Sequence, residues 1–104
     1  MERYAWKGKV KPGMLDEYRR RHDQIWPEMT QMLNEAGVHN YTIWNVGEDL
    51  FGYYECESIE KAASVQASSP VNAKWDAYMK DVMEMDKDPV TGAQPLMTCV
   101  FYHK

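Results

Sequence analysis

Tyr18 and His22 stand four residues apart in a stretch whose apolar residues recur at helical spacing, so both leave the same face of one helix. They lie on the apolar stripe and not on the polar back. An imidazole there suits proton transfer near neutral pH, because its unperturbed pKa is about 6.5. Spacing alone favours a satisfied core histidine with Tyr18 packed beside it. Two features lower the weight of that reading. His22 comes just before a proline-marked helix break, where side chains often line pockets. The chain is also rich in flat side chains with polar edges: Trp26, Tyr41, Trp44, Tyr53, Tyr54, Trp75 and Tyr78. Such faces suit the C–H surfaces and hydroxyls of a sugar, although aromatics also simply fill small cores. Asp76, next to Trp75, falls at the flank of the apolar face. It would accept a hydrogen bond from a ligand hydroxyl or orient a base, while most acids at such a flank are only solvated.

Other chemistries find no support. His39 and His103 make no metal-ligand spacing with His22 or with the cysteines, and HExxH, paired CxxC, GxGxxG and P-loop patterns do not occur. No serine or cysteine sits in a nucleophile motif. The expectation is a site without metal or cofactor that moves protons and holds a polar organic molecule. One well-placed acid-base group contributes about 10²- to 10⁴-fold.

The elements that must position these residues follow from periodicity. Residues 3–10 alternate, with Tyr4, Trp6 and Val10 on one face and Arg3, Lys7 and Lys9 on the other, which predicts a half-buried strand ended by Pro12-Gly13. From Met14 the period becomes helical through Leu15, Tyr18, His22, Ile25, Met29 and Leu33. Pro27 breaks or kinks this helix around Asp23–Trp26 and opens a second stretch, which Gly37 stops. Residues 38–46 and 49–57 read as a hairpin. Ser58 caps a short helix to about Ala67, and Ser69-Pro70 starts another carrying Val71, Trp75, Tyr78, Met79 and Val82 on one face. Asp86 to Gln94 reads as an irregular loop and Leu96–His103 as a last strand. The order β-α-β-β-α-β is the ferredoxin-like α+β arrangement, with helices on one face of the sheet. The opposite face still bears large side chains, and a second copy of the chain is the economical cover.

Bulk properties agree. A chain of 104 residues is expected to form one domain, 1–104, and gains from dimerisation. The net charge of −4, with Arg19-Arg20-Arg21 set among acids, reads as a solvated helix face and speaks against nucleic acid as a partner. No run of about 18 apolar residues would engage a membrane, and no signal-peptide pattern opens the chain. Cys56 and Cys99, both in strand-like segments, read as reduced core residues of a cytoplasmic protein.

The run Tyr18-Arg19-Arg20-Arg21-His22-Asp23-Gln24-Ile25-Trp26-Pro27-Glu28 resembles the signature of the L-rhamnose mutarotase family. The resemblance continues through Gly37-Val38-His39-Asn40-Tyr41, Trp75 with Tyr78–Met83, and Val100-Phe101-Tyr102, covering nearly the whole chain. It implies a homodimeric α+β barrel that interconverts the α and β pyranose anomers of L-rhamnose. It also implies His22 as proton donor, with Tyr18 and Tyr41 contacting the sugar. Trp75 would then offer a stacking surface. The family usually has two adjacent tryptophans where this chain has Trp75-Asp76, which favours a related sugar with an extra hydroxyl or a broader specificity. The loop from Asp86 to Pro95 also departs from the family pattern. Two other classes stay open: a sugar-binding module without turnover, and a cofactor-free monooxygenase or haem-related enzyme on the same barrel.

Overall fold

A computed structural model describes residues 1–87, 90, 94 and 97–104. The elements run β1 (Glu2–Val10), α1 (Leu15–Asp23), α2 (Pro27–Glu35), β2 (His39–Val46), β3 (Asp49–Cys56), α3 (Ile59–Ala67), α4 (Pro70–Met79) and β4 (Met83–Met85). The four strands form one antiparallel sheet in the order β2-β3-β1-β4. The α+β class and the β-α-β-β-α-β order match expectation.

Local signals set most boundaries. Trp26 is extended (φ −64°, ψ 138°) because the following proline disfavours helix, so α1 ends and Pro27 opens α2 as its first residue. Gly37 then adopts φ +76°. Its N–H donates to the Asn34 carbonyl and that of Val38 to the Leu33 carbonyl, the paired bonds of a Schellman stop. Ser58 and Ser69 cap α3 and α4 by accepting from the N–H groups of Lys61 and Asn72. Gly47, at φ +58°, takes the first central position of the two-residue turn between β2 and β3.

One cluster of buried side chains joins the helices to one face of the sheet. Trp6, Val10, Leu50, Tyr54 and Cys56 come from the sheet, and Tyr18, Met29, Met32, Ala62, Trp75 and Met79 from the helices. Cross-strand pairing places Trp6 opposite Gly52, and Gly52 opposite Ile43, on this inner face. Trp44 pairs with Phe51 on the other face, where Trp44 is 69% exposed.

Three expectations are corrected. The fourth strand is Met83–Met85, not Leu96–His103: it takes the free edge of β1 at Gly8–Val10, and residues 97–104 form neither helix nor strand. Leu96 itself lies outside the described residues, as do most positions of the expected loop. Helix α4 stops at Met79, so Val82 is buried beyond the helix and not on its face. Cys99 is exposed in the tail, whereas Cys56 is in the core as expected.

Candidate active site

The sheet presents Tyr41 through a bulge where β2 pairs with β3. Between His39 and Thr42 the register slips by one residue, a bulge in which Asn40 takes φ +50° and donates its amide to Glu55 Oε1 at 2.6 Å. Asparagine tolerates this left-handed backbone. A bulge re-aims its neighbour, and Tyr41 follows it on the inner side of the strand. There its ring packs 5.2 Å from that of Tyr54, which in turn stacks on Tyr4 at 5.1 Å. Trp6 donates its indole N–H to the Tyr41 hydroxyl at 2.9 Å.

The helices supply the facing wall. His22, in the last turn of α1, has Nδ1 at 3.0 Å from the carbonyl oxygen of Tyr18. A carbonyl only accepts, so Nδ1 carries a proton in either charge state and Nε2 bears the exchangeable one. The His22 ring lies 4.4 Å from that of Tyr18 and meets Trp75 edge-on at 5.4 Å. Trp26 and Tyr78 extend this aromatic cluster, each in contact with Trp75. The position of Trp26 comes directly from the extended backbone that Pro27 imposes.

Between the two walls runs a cleft of about 1360 Å³, lined by Tyr18, His22, Tyr41, Tyr54, Trp75 and Asp76 among others. The five residues singled out from the sequence thus border one space. Of the other aromatics, Tyr53 projects from the outer face, where its hydroxyl donates to Glu55 at 3.0 Å. The Tyr18 hydroxyl is buried and has no hydrogen-bond partner among the described residues. An unmet group of this kind typically costs about 1–3 kcal/mol.

Electrostatics follow from the same burial. Desolvation lowers the His22 pKa below its ordinary value, against the opposing pull of the Tyr18 carbonyl and the Asp23 charge. His22 is therefore mainly neutral near pH 7, with Nε2 as an acceptor. Burial also raises the Tyr18 phenol, with nearby Tyr41 adding to the effect, and pushes Tyr41 up to about 12. Asp76 is raised by desolvation, which Lys87 and Lys80 partly offset.

Arg21 departs from the solvated helix face expected of the arginine run. It is buried, and its guanidinium bonds Glu17 at 2.7 Å, Asp81 at 2.8 Å and the Tyr78 carbonyl at 2.7 Å. It also covers the Tyr78 ring at 4.3 Å. These contacts tie the last turn of α1 to the end of α4, which holds His22 against Trp75. Arg21 falls three residues after Tyr18, on the edge of the apolar stripe, and that position was the available signal for its burial. Trp6 was legible as a core residue, but its bond to Tyr41 was not.

Comparison with known proteins finds relatives along nearly the whole chain. The family model for L-rhamnose mutarotase matches residues 3–103. An L-rhamnose mutarotase of Sinorhizobium fredii is 44% identical over 101 residues, covering 94% of this chain and 95% of its own. One from a Jannaschia species is 41% identical over 105 residues, with 98% of both chains covered. Among solved structures, an L-rhamnose mutarotase of Formosa agariphila superposes with a TM-score of 0.80 at 30% identity, over 100% of both chains. With its full-length match and its histidine and aromatic side chains gathered on one cleft, the chain belongs to the L-rhamnose mutarotase family.

Proposed function

We propose that the chain interconverts the α and β pyranose anomers of L-rhamnose or a closely related sugar, as one domain spanning residues 1–104. Its relatives in the family carry that activity in their names, and the observation that carries the chemistry is His22, with Nδ1 tied to the Tyr18 carbonyl and Nε2 left for exchange. Neutral Nε2 takes the proton from the anomeric hydroxyl as that C–O bond becomes a carbonyl and the bond from C1 to the ring oxygen breaks. The imidazolium then gives the proton to the ring oxygen, so His22 acts as donor after first acting as acceptor. Rotation about the C1–C2 bond and the reverse sequence close the other anomer. Both oxygens sit on one carbon, so a single imidazole serves each in turn. Trp75 supplies an apolar face for the sugar, and Tyr18, Tyr41 and Asp76 supply polar contacts, with Asp76 suited to a substrate hydroxyl. Saturation transfer between the two anomeric protons of L-rhamnose, with and without protein, is the direct test. A panel of deoxy and more hydroxylated sugars under the same conditions ranks the substrates. Sugar binding with no accelerated exchange on any of them would identify a binding module instead.

Tyr18 gives a sharper expectation. Removing an unpartnered buried hydroxyl relieves a desolvation cost, while the proposed contact of that hydroxyl with the sugar would be lost. Tyr18→Phe is therefore expected to leave stability unchanged or raise it by up to about 1–3 kcal/mol, and to weaken sugar binding several-fold. Thermal melts and KM on one preparation check both halves. A destabilised variant with unaltered KM would place the hydroxyl in a purely structural role.

The working unit in this reading is a homodimer closed into an α+β barrel, sheet against sheet. The outer face and the tail carry Trp44, Val46 at 65% exposure and Phe101 at 79%, a large apolar area for a free surface. Arg3 on that face holds the Tyr102 ring at 4.0 Å, so the tail lies along the same surface. Light scattering should give twice the chain mass, and Trp44→Glu should shift it towards one. A wild-type chain that stays monomeric at high concentration would remove the barrel. The two free cysteines, one of them exposed, accord with a cytoplasmic setting.

A further inference from the structure

Trp6 is buried in the middle of β1, and its indole is held by defined contacts. It pairs across the sheet with Gly52, and the space a side chain would fill at position 52 is occupied by the indole itself: a Cβ there would overlap Cε2 and Nε1. The missing side chain on β3 lets the ring lie over that strand, with its N–H reaching Tyr41 on β2 at 2.9 Å. An indole N–H only donates, so the Tyr41 oxygen is the acceptor in this bond. The phenol proton cannot point back at the indole and is left to donate elsewhere. Tyr41 lines the cleft, and the residue is 36% exposed.

We propose that Trp6 is a positioning residue for the reaction: its indole N–H orients the Tyr41 hydroxyl as a hydrogen-bond donor to a sugar oxygen, with Gly52 providing the room that makes the contact possible. The inference rests on the mutarotase reading for its substrate, though the Trp6–Tyr41 bond itself does not. A phenylalanine would fill most of the slot above Gly52 but leave the phenol free to rotate. In the wild-type chain the orientation is set before the sugar arrives, which lowers the cost of ordering the contact. The indole donor also stabilises the Tyr41 phenolate, against the upward push of burial.

The test is a double-mutant cycle with Trp6→Phe and Tyr41→Phe, read as KM and kcat for L-rhamnose anomer exchange. A neutral hydrogen bond corresponds to about a 3- to 10-fold change. Trp6→Phe should raise KM by that factor in the wild-type background and by less than twofold when Tyr41 is already phenylalanine. Equal effects in both backgrounds would overturn the proposal and make Trp6 mere packing. A second measurement needs neither activity nor a folded Trp6 variant: in protein carrying ¹⁵N-labelled tryptophan, Tyr41→Phe should speed solvent exchange of the Trp6 indole proton about tenfold or more. An unaltered exchange rate would refute the bond. If the wild-type chain shows no anomer exchange while the indole proton responds as expected, the substrate reading has failed and the Trp6–Tyr41 coupling stands.

Discussion

In the His22→Ala variant, anomer exchange of L-rhamnose is expected to fall by about 10²- to 10⁴-fold, the usual contribution of one positioned acid-base group. The loss belongs in kcat, because a methyl at position 22 leaves Trp75, Tyr41 and Tyr18 in place to hold the sugar. The wild-type pH profile identifies the working form. Burial sets the His22 pKa below its ordinary value, so neutral imidazole predominates above about 6.5. If that form begins the reaction, kcat/KM is level through neutral pH and declines as pH drops through the lowered pKa. The variant should lose this acid limb along with the rate. A wild-type rate that climbs as pH falls would show that the imidazolium begins the cycle instead. Retention of full activity by His22→Ala would move proton transfer to another group, with Tyr18 the nearest.

The second large effect is on stability. Gly52→Ala adds a methyl group where the Trp6 indole now sits, and the contact lies in the centre of the sheet. Overpacking of this kind costs about 1–3 kcal/mol. For a domain of this size each kcal/mol lowers Tm by roughly 4 °C or more. The indole is the flexible party, so it should turn away and take its N–H from Tyr41, and KM should rise together with the loss in Tm. Trp6→Phe removes the indole edge that overlaps the new methyl, and Gly52→Ala should then cost less in that background. A Gly52→Ala variant as stable as wild type would mean that the indole has room to move without penalty. Comparable losses in both backgrounds would mean that the clash lies elsewhere.

Most of the element boundaries were legible in the sequence because they depend on neighbours in the chain. Alternation through Tyr4, Trp6 and Val10 defines β1, Pro27 and Gly37 bracket α2, and Ser58 and Ser69 cap the two later helices. The helical period alone put Tyr18 and His22 on one face, so the core of the candidate site was visible without coordinates. The last strand was misplaced because strand propensity does not say which edge is free. Val100, Phe101 and Tyr102 are good strand residues, but within one chain the edge of β1 is met by Met83–Met85.

Tertiary structure decided what local pattern could not express. Arg21 has the same charge as Arg19 and Arg20, and only the approach of the Tyr78 carbonyl in α4 and of Asp81 in the turn after it makes its burial affordable. Cys99 shares the strand-like surroundings of Cys56, yet it lies in the tail and is exposed. Trp6 is far in sequence from the hairpin that holds Tyr41 and Gly52, and the three meet because antiparallel register sets Trp6 against Gly52 and a one-residue bulge turns Tyr41 inward. Residue type and spacing named the groups capable of proton transfer and sugar contact. Register, bulge and the packing of α1 against α4 determined which of them share a cleft, because those distances are set by pairing between segments that the chain does not make neighbours.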